Sequence, residues 1–132
     1  MKLIAHRGNV NGKSIHENKP SFIEGAINRG FDCEVDIRNI NGKYYLGHDY
    51  PEYQTKKKFL KQPELWCHAK DGTTLRQALK DGLHVFYDKA GMGLNYALTS
   101  RGYIWHFDGE SLVYVMDKNG LIGMCSDYVG RL

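Results

Sequence analysis

The sequence predicts an α/β domain built on a largely parallel sheet. Three observations carry that expectation. Apolar runs of strand length recur along the whole chain, helix-periodic segments separate the first of them, and Gly, Pro or an Asn-Gly pair punctuates nearly every junction. With 132 residues, 42% of them hydrophobic and 25% charged, the composition is that of one globular domain spanning residues 1–132.

The first run, KLIAH at residues 2–6, has strand length and opens into the polar loop GNVNGKSIHEN. Behind it, Phe22, Ile23, Ala26 and Ile27 hold the spacing of an amphipathic helix, with Asn18 or Ser21 as the expected cap and Gly30 as the stop. FDCEVDIRN, residues 31–39, alternates Cys33, Val35 and Ile37 with Glu34, Asp36 and Arg38, which predicts a strand with one charged face. The Asn41-Gly42 turn then leads into a second strand through KYYLGH. Lys56, Lys57 and Lys58 belong to a polar connection and are expected to form a solvated face that ends at Pro63. ELWCHAK, residues 64–70, predicts a strand; TTLRQALKDG, residues 73–82, a helix capped by Thr73 or Thr74 and stopped by Gly82; LHVFYDKA, residues 83–90, a further strand.

Beyond Gly91 the segments shorten. GMGLNYALTSRG is expected to hold one helical turn or two, and YIWHF, LVYVM and GLIGMCSD are apolar runs between turn residues. About eight strand-like runs with three or four helices fall short of a full eight-stranded (β/α) barrel, which takes about 250 residues. Either several helices are reduced to loops or two chains share one sheet.

Bulk properties narrow the function. Eighteen Lys and Arg against 15 Asp and Glu leave a formal charge of +3, which suits a small anionic substrate and excludes the concentrated basic face of a nucleic-acid binder. A strand-like run that begins at residue 2 leaves no room for a signal peptide, and no apolar run is long enough for a membrane span, so a cytoplasmic location is expected. Cys33, Cys67 and Cys125 are odd in number, far apart and embedded in apolar runs, the pattern of buried free thiols.

The chemistry lies in polar residues that interrupt those runs. His6 and Arg7 close the first strand, Glu34 and Asp36 share a face of the second, His48 closes the third, His68 and Lys70 the fourth, and Asp127 the last. Ligands of parallel α/β sheets bind at the carboxyl ends of strands, so these side chains are expected to converge. Two neighbouring carboxylates repel unless a cation neutralises them, a role for a hard ion such as Mg²⁺ or Ca²⁺. Two histidines supply a proton donor and acceptor near neutrality, and Arg7 offers a planar fork for a phosphate. Together these groups describe phosphoryl transfer. His16, His84 and His106 carry no motif and are read as structural, whereas Tyr87, Trp105 and Lys89 are placed to line the pocket or assist phosphate binding.

IAHRG, ENKPSF with a helix behind it, CEVDI, an Asn-Gly turn and LGHD, in this order over residues 3–49, resemble the glycerophosphodiester phosphodiesterases and the wider family of phospholipase-C-like phosphodiesterases. The resemblance implies a compact TIM-like (β/α) barrel with several helices reduced to loops. It implies His6 and His48 as the catalytic pair, Arg7 and Lys70 on phosphate, and Glu34 and Asp36 on a divalent metal, with Glu17 and Asp49 in support. WCHAK is similar to a family strand motif whose Glu completes the metal site. His68 stands in that place, a departure that favours Mn²⁺ or Zn²⁺ over Mg²⁺ or Ca²⁺. The insertion that many members carry after the His-Asp motif is absent. The expected activity is metal-dependent hydrolysis of a small glycerophosphodiester or related lipid-headgroup diester, without nucleic-acid partners or membrane insertion. The alternatives are a non-catalytic phosphate- or headgroup-binding module and a phospholipase-C-like or sphingomyelinase-D-like lyase that forms a cyclic phosphate.

Overall fold

The computed structural model of the chain describes residues 1–88, 95–107 and 112–132. A parallel sheet does form in the N-terminal half, and it forms around one strand. β1 (Lys2–His6) and β2 (Asp32–Ile40) run parallel, pairing Ile4 with Asp32 and His6 with Glu34. Beyond the end of β1, β3 (Lys43–Leu46) takes over the same edge of β2 as an antiparallel hairpin through the Asn41-Gly42 turn. β4 (Tyr53–Thr55) pairs outside β3, and the four-residue helix α2 (Lys57–Leu60) follows it. Along the other edge of β2 runs β5 (Leu65–Ala69), parallel and in register from Cys33–Leu65 to Ile37–Ala69, and β6 (Val85–Phe86) is parallel to β5.

The C-terminal half corrects the expected (β/α) barrel. β7 (Tyr96–Leu98), β8 (Ile104–Phe107), β9 (Val113–Asp117) and β10 (Gly120–Ser126) form an antiparallel meander, and β10 returns to pair parallel with β1. The result is a curled, mixed ten-stranded sheet of half-barrel form, with three short α-helices among the described residues instead of alternating strands and helices. Connection length is the physical reason. A parallel crossover needs a dozen or more residues, whereas only Lys118 and Asn119 separate β9 from β10, and Leu98 and Ile104 stand six positions apart. The helical turn expected between Gly91 and Gly102 lies outside the described residues up to position 94, and from Tyr96 to Leu98 it is strand instead. The two ends of the curl meet at Ser100, whose N–H donates to Val85 O at 2.8 Å and whose Oγ accepts from Val85 N at 2.9 Å.

Helices α1 (Pro20–Asn28) and α3 (Gly72–Lys80) follow the expected periodicity, but their caps differ. Lys19 occupies the cap position of α1 without a side-chain bond, and Pro20 needs no N–H partner there. Asp71 caps α3 by accepting from Thr74 N, which frees the buried Thr74 hydroxyl to accept from Asn39 N at 2.8 Å. The Lys56–Lys58 run is not only a solvated face, because it opens α2 and buries Leu60.

Both faces of the sheet are covered. The outer face puts Cys33, Val35, Ile37, Leu65, Cys67, Ala69 and Val85 against Ile23, Ala26 and Ala78 of the helices. The concave face holds Ile4, Trp66, Phe86, Trp105, Val115 and Cys125. Trp66 sits centrally, its indole N–H on Asp32 Oδ2 at 2.9 Å and its ring 4.3 Å from His84 and 5.7 Å from Trp105. The three cysteines are buried and free, as expected, and burial pushes the thiols of Cys33 and Cys67 up to about 12. No described helix is long and apolar enough to cross a membrane.

Two stability predictions follow from this packing. Trp66→Ala removes a tryptophan from the centre of the inner packing together with its hydrogen bond, and is expected to cost about 3–5 kcal/mol in chemical denaturation. His84, buried and bonded to Thr99 Oγ1 at 2.8 Å, has its pKa lowered from 6.5 to about 4 by burial first, then by the Arg101 and Lys2 charges. Below pH 6.5 the unfolded chain takes up a proton there that the fold refuses until about pH 4, so stability falls across that window as pH drops. The loss is about 2 kcal/mol after allowance for solvent screening. His6 and His68, raised in the fold, act in the opposite sense: their contribution is present below 6.5 and lost as pH rises. The difference between wild type and His84→Gln over pH 4–7 therefore isolates the effect, and a flat difference would exclude it.

Candidate functional site

The concave face changes character along its strands. Where Trp66, Phe86 and Trp105 fill it, it is apolar, and at the carboxyl ends of β1 and β5 and the middle of β2 the same face carries His6, His68, Glu34 and Asp36. Strand alternation dictates this. Glu34 and Asp36 lie opposite Cys33, Val35 and Ile37 on β2, and because helices cover the outer face, the charged face has only the interior to enter. Glu34 is 3% exposed and Asp36 is 1% exposed, so the expected charged face is no water-facing edge.

The chain turns sharply after β1. Arg7 adopts φ of 56° and Asn18 of 66°, left-handed conformations that cost a non-glycine residue on the order of 1 kcal/mol each. Backbone bonds pin the turn: Arg7 N donates to Glu34 O at 2.8 Å, and Asn18 N to Arg7 O at 3.0 Å. The guanidinium consequently reaches inward, with Nη1 on Glu17 Oε2 and Nε beside Asp36 Oδ2, both at 3.2 Å. The second of these is a charge contact, since Nε has no aligned acceptor. Asn18, expected as a helix cap, instead clamps Asp36: its Nδ2 donates to Asp36 Oδ2 and its Oδ1 accepts from Asp36 N, each at 2.9 Å.

His6 shares Nδ1 with Asp127 Oδ1 at 2.8 Å and turns Nε2 toward Glu34 Oε1 at 3.9 Å. Asn9, fully buried, joins the two halves of this network by donating to Asp127 Oδ1 at 2.9 Å and Glu17 Oε1 at 2.8 Å. From β5, His68 places Nδ1 3.4 Å from both Glu34 Oε2 and Asp36 Oδ1, pairs Nε2 with Asp88, and stacks on Phe86. Lys70 approaches Asp36 Oδ1 at 3.9 Å from the end of the same strand. His48 stands at the mouth, its Nδ1 bonded to the exposed Asp49 at 2.8 Å, where Arg38 grips the backbone by donating to Gly47 O at 3.2 Å and His48 O at 2.6 Å. No side chain larger than hydrogen fits at residue 47, where a Cβ would meet Tyr50 O at 1.9 Å.

The charges sort themselves by burial and pairing. Burial opposes the charged form of His6, but the hydrogen bond its ring donates to Asp127 and the field of Glu34 outweigh it and raise the pKa. Burial likewise opposes the charged ring of His68, and the bonds to Asp36, Asp88 and Glu34 carry its pKa well above 6.5. The Asp36 carboxyl is held low despite its burial by His68, Asn18 and Arg7. Asp88 is lowered chiefly by His68, and Asp127 is lowered against its burial by His6 and Asn9. Both rings thus have their charged form favoured by the carboxylates around them.

His6, Arg7, Glu34, Asp36, His48 and His68 line one cavity of about 200 Å³, facing an apolar wall of Trp105, Phe107 and Val113. Six of the eight residues expected to converge do so, with Asp127 behind His6, Glu17 behind Arg7 and Asp49 behind His48. Lys70 stands outside the lining, and Tyr87 packs against the outer core while Trp105 does face the cavity. Lys89 lies outside the described residues. Sequence reasoning missed Asn9, Asn18 and Asp88. Asp88 ends the apolar run VFYD as His6 ends its own, so the same rule finds it, whereas the two asparagines look like ordinary turn residues.

Ligand atoms of Glu34, Asp36 and His68 lie within 4.8 Å of one another, and Glu34 Oε1 is buried without a hydrogen-bond partner. An orphaned carboxylate oxygen beside a second carboxylate and an imidazole fits a divalent cation. His68 can join such a set only as a neutral ring, after losing the proton its carboxylate partners hold in place. No family model matches the chain, and neither a curated protein nor a solved structure matches it.

Asn18→Ala leaves the buried Asp36 carboxylate and N–H each short of a partner. The expected cost is about 1–3 kcal/mol of stability, read by denaturant titration. Asn18→Asp, which restores an acceptor but adds a charge beside Asp36, is expected to be no better.

Proposed function

We propose that this chain is a phosphodiesterase that cleaves a small phosphodiester where the middle of β2 meets the carboxyl ends of β1, β3 and β5. The observation that carries the reading is the convergence of two histidines, an arginine and two carboxylates on one cavity of about 200 Å³. The order of IAHRG, CEVDI and LGHD, similar to the glycerophosphodiester phosphodiesterases, supports the same chemistry. The cavity's size restricts the diester to small substituents, and the wall of Trp105, Phe107 and Val113 suits an apolar portion of one of them.

His6 acts as the general acid. Asp127 holds its Nδ1, which leaves the Nε2 proton facing the cavity for delivery to the departing alkoxide. His48, at the open mouth, takes the proton of the attacking hydroxyl or water. Arg7 is fixed by Glu17 and Asp36 at the cavity wall, where its charge lowers the energy of a phosphate dianion-like transition state. Glu34 and Asp36, with His68 as a third ligand, would hold a divalent cation, which supplies charge neutralisation at phosphorus when bound.

One observation favours a second reading, a phosphate-binding module without turnover. His68 itself, raised well above its usual pKa, provides the positive charge that Glu34 and Asp36 require. Hydrolysis of bis(p-nitrophenyl) phosphate and glycerophosphocholine separates the two. Turnover is expected to need a divalent cation, to stop on chelation, and to fall by about 10²–10⁴ in His6→Ala and in His48→Ala. Activity that survives both substitutions sinks the acid–base assignment, and diester binding without turnover in Mg²⁺, Mn²⁺, Ca²⁺ and Zn²⁺ selects the binding module. Phosphorus NMR of the product distinguishes open from cyclic phosphate.

A further inference from the structure

A cavity larger than the one that holds the histidines lies elsewhere in the fold. It is a groove of about 460 Å³ between the loop after β1 and the side of α1, and it shares no residue with the catalytic cavity. Its floor is apolar, formed by Val10, Phe22 and Ala26, and its rim carries Lys13, Arg29, Ser14 and Ser21. We infer that this groove binds an anionic amphiphile: a small molecule with a phosphate or carboxylate head on an apolar body.

Three observations converge on that ligand. No acidic residue lines the groove, and among the described residues neither Lys13 nor Arg29 forms an ion pair, although Lys13 contributes to the field around Asp127. The contrast with the cavity beside β3 is direct: there Lys43, Lys56 and Lys57 share the lining with Asp81, which pairs with Lys57 at 3.7 Å. Ser14 Oγ accepts from His16 N at 3.0 Å and so keeps its own proton to donate, which suits an anionic oxygen. A groove of this volume, with an apolar floor and a few polar groups at one rim, has the form of a small-molecule site.

The third observation is Gly25. It lies inside α1, where glycine costs a helix about 1 kcal/mol relative to alanine. Its φ is not left-handed, and a Cβ there would meet no heavy atom within 4 Å. Neither backbone geometry nor packing calls for a glycine, and its effect is to keep the groove wall open. Gly8 serves the opposite side, where Phe22 Cδ2 would come within 2.9 Å of a Cβ.

Gly25 makes the test clean, because Gly25→Leu fills the groove while improving the helix. The probes are monomeric octyl phosphate and octanoate, with octyl glucoside and inorganic phosphate as controls. Binding is followed by calorimetry and located by amide shifts in ¹⁵N spectra. The expected result is that both anionic amphiphiles bind, with shifts confined to residues 8–14 and 21–29, and that neither control binds comparably. Which of the two binds more tightly identifies the preferred head. Gly25→Leu is expected to abolish binding with melting temperature unchanged or higher, and Lys13→Gln with Arg29→Gln to weaken it by about tenfold or more. Wild-type affinity in Gly25→Leu, equal binding of octyl glucoside, no binding of either anion, or shifts centred on His6, Arg7 and Glu34 would each overturn the inference. Diester turnover by Gly25→Leu is expected to be unchanged, so the groove and the catalytic reading fail separately. If Gly25→Leu does not fold, the exposed Lys13 and Arg29 substitutions carry the test alone.

Discussion

Two carboxylates buried side by side on the concave face of β2 set the terms for the rest of this molecule. Glu34 and Asp36 stand next to the aromatic packing of Trp66, Phe86 and Trp105, an environment that penalises an unpaired charge by several kcal/mol. The surroundings offset that penalty from three directions. Arg7 reaches Asp36 from the strained turn after β1, His68 meets both carboxylates from β5, and Asn18 satisfies the second Asp36 oxygen and its N–H. The left-handed conformations of Arg7 and Asn18 are the backbone cost of that arrangement.

Compensation is incomplete at Arg7 Nε, Asn9 Oδ1 and Glu34 Oε1, all buried without a hydrogen-bond partner, and at Glu34 the arrangement becomes chemically interesting. Glu34 Oε1 has no hydrogen-bond partner, and His6 Nε2 stands at 3.9 Å, beyond hydrogen-bond reach. Most buried polar groups in a folded protein have a hydrogen-bond partner. One left open next to a cavity is the feature that a cation or a reacting group exploits.

Much of the N-terminal half is legible in the sequence because its signals are local. The alternation of Cys33, Val35 and Ile37 with Glu34 and Asp36, the Asn41-Gly42 turn, and the periodicity of α1 and α3 each specify an element within a few residues. The C-terminal half fails as a (β/α) continuation for a reason also present in the sequence, since two residues between β9 and β10 cannot cross over a sheet. What no local pattern conveys is which polar side chains turn inward. Asn9 and Asn18 look like turn residues, yet tertiary contacts spend their amides on Asp127, Glu17 and Asp36. Likewise the charged face of β2 looks solvated until helices occupy the opposite face.

The pairing of β10 with β1 bears on when this site can exist. His6 and Asp127 are 121 positions apart, and the strands that carry them are neighbours in the sheet. During synthesis from the amino end, β1, β2 and β5 can assemble early, but one edge of β1 stays unpaired until residues 120–126 have left the ribosome. No nascent chain shorter than 127 residues can hold His6 by its carboxylate partner. Closure across such a long separation carries a large loop entropy, so completion of the site is coupled to the pairing of β10 with β1.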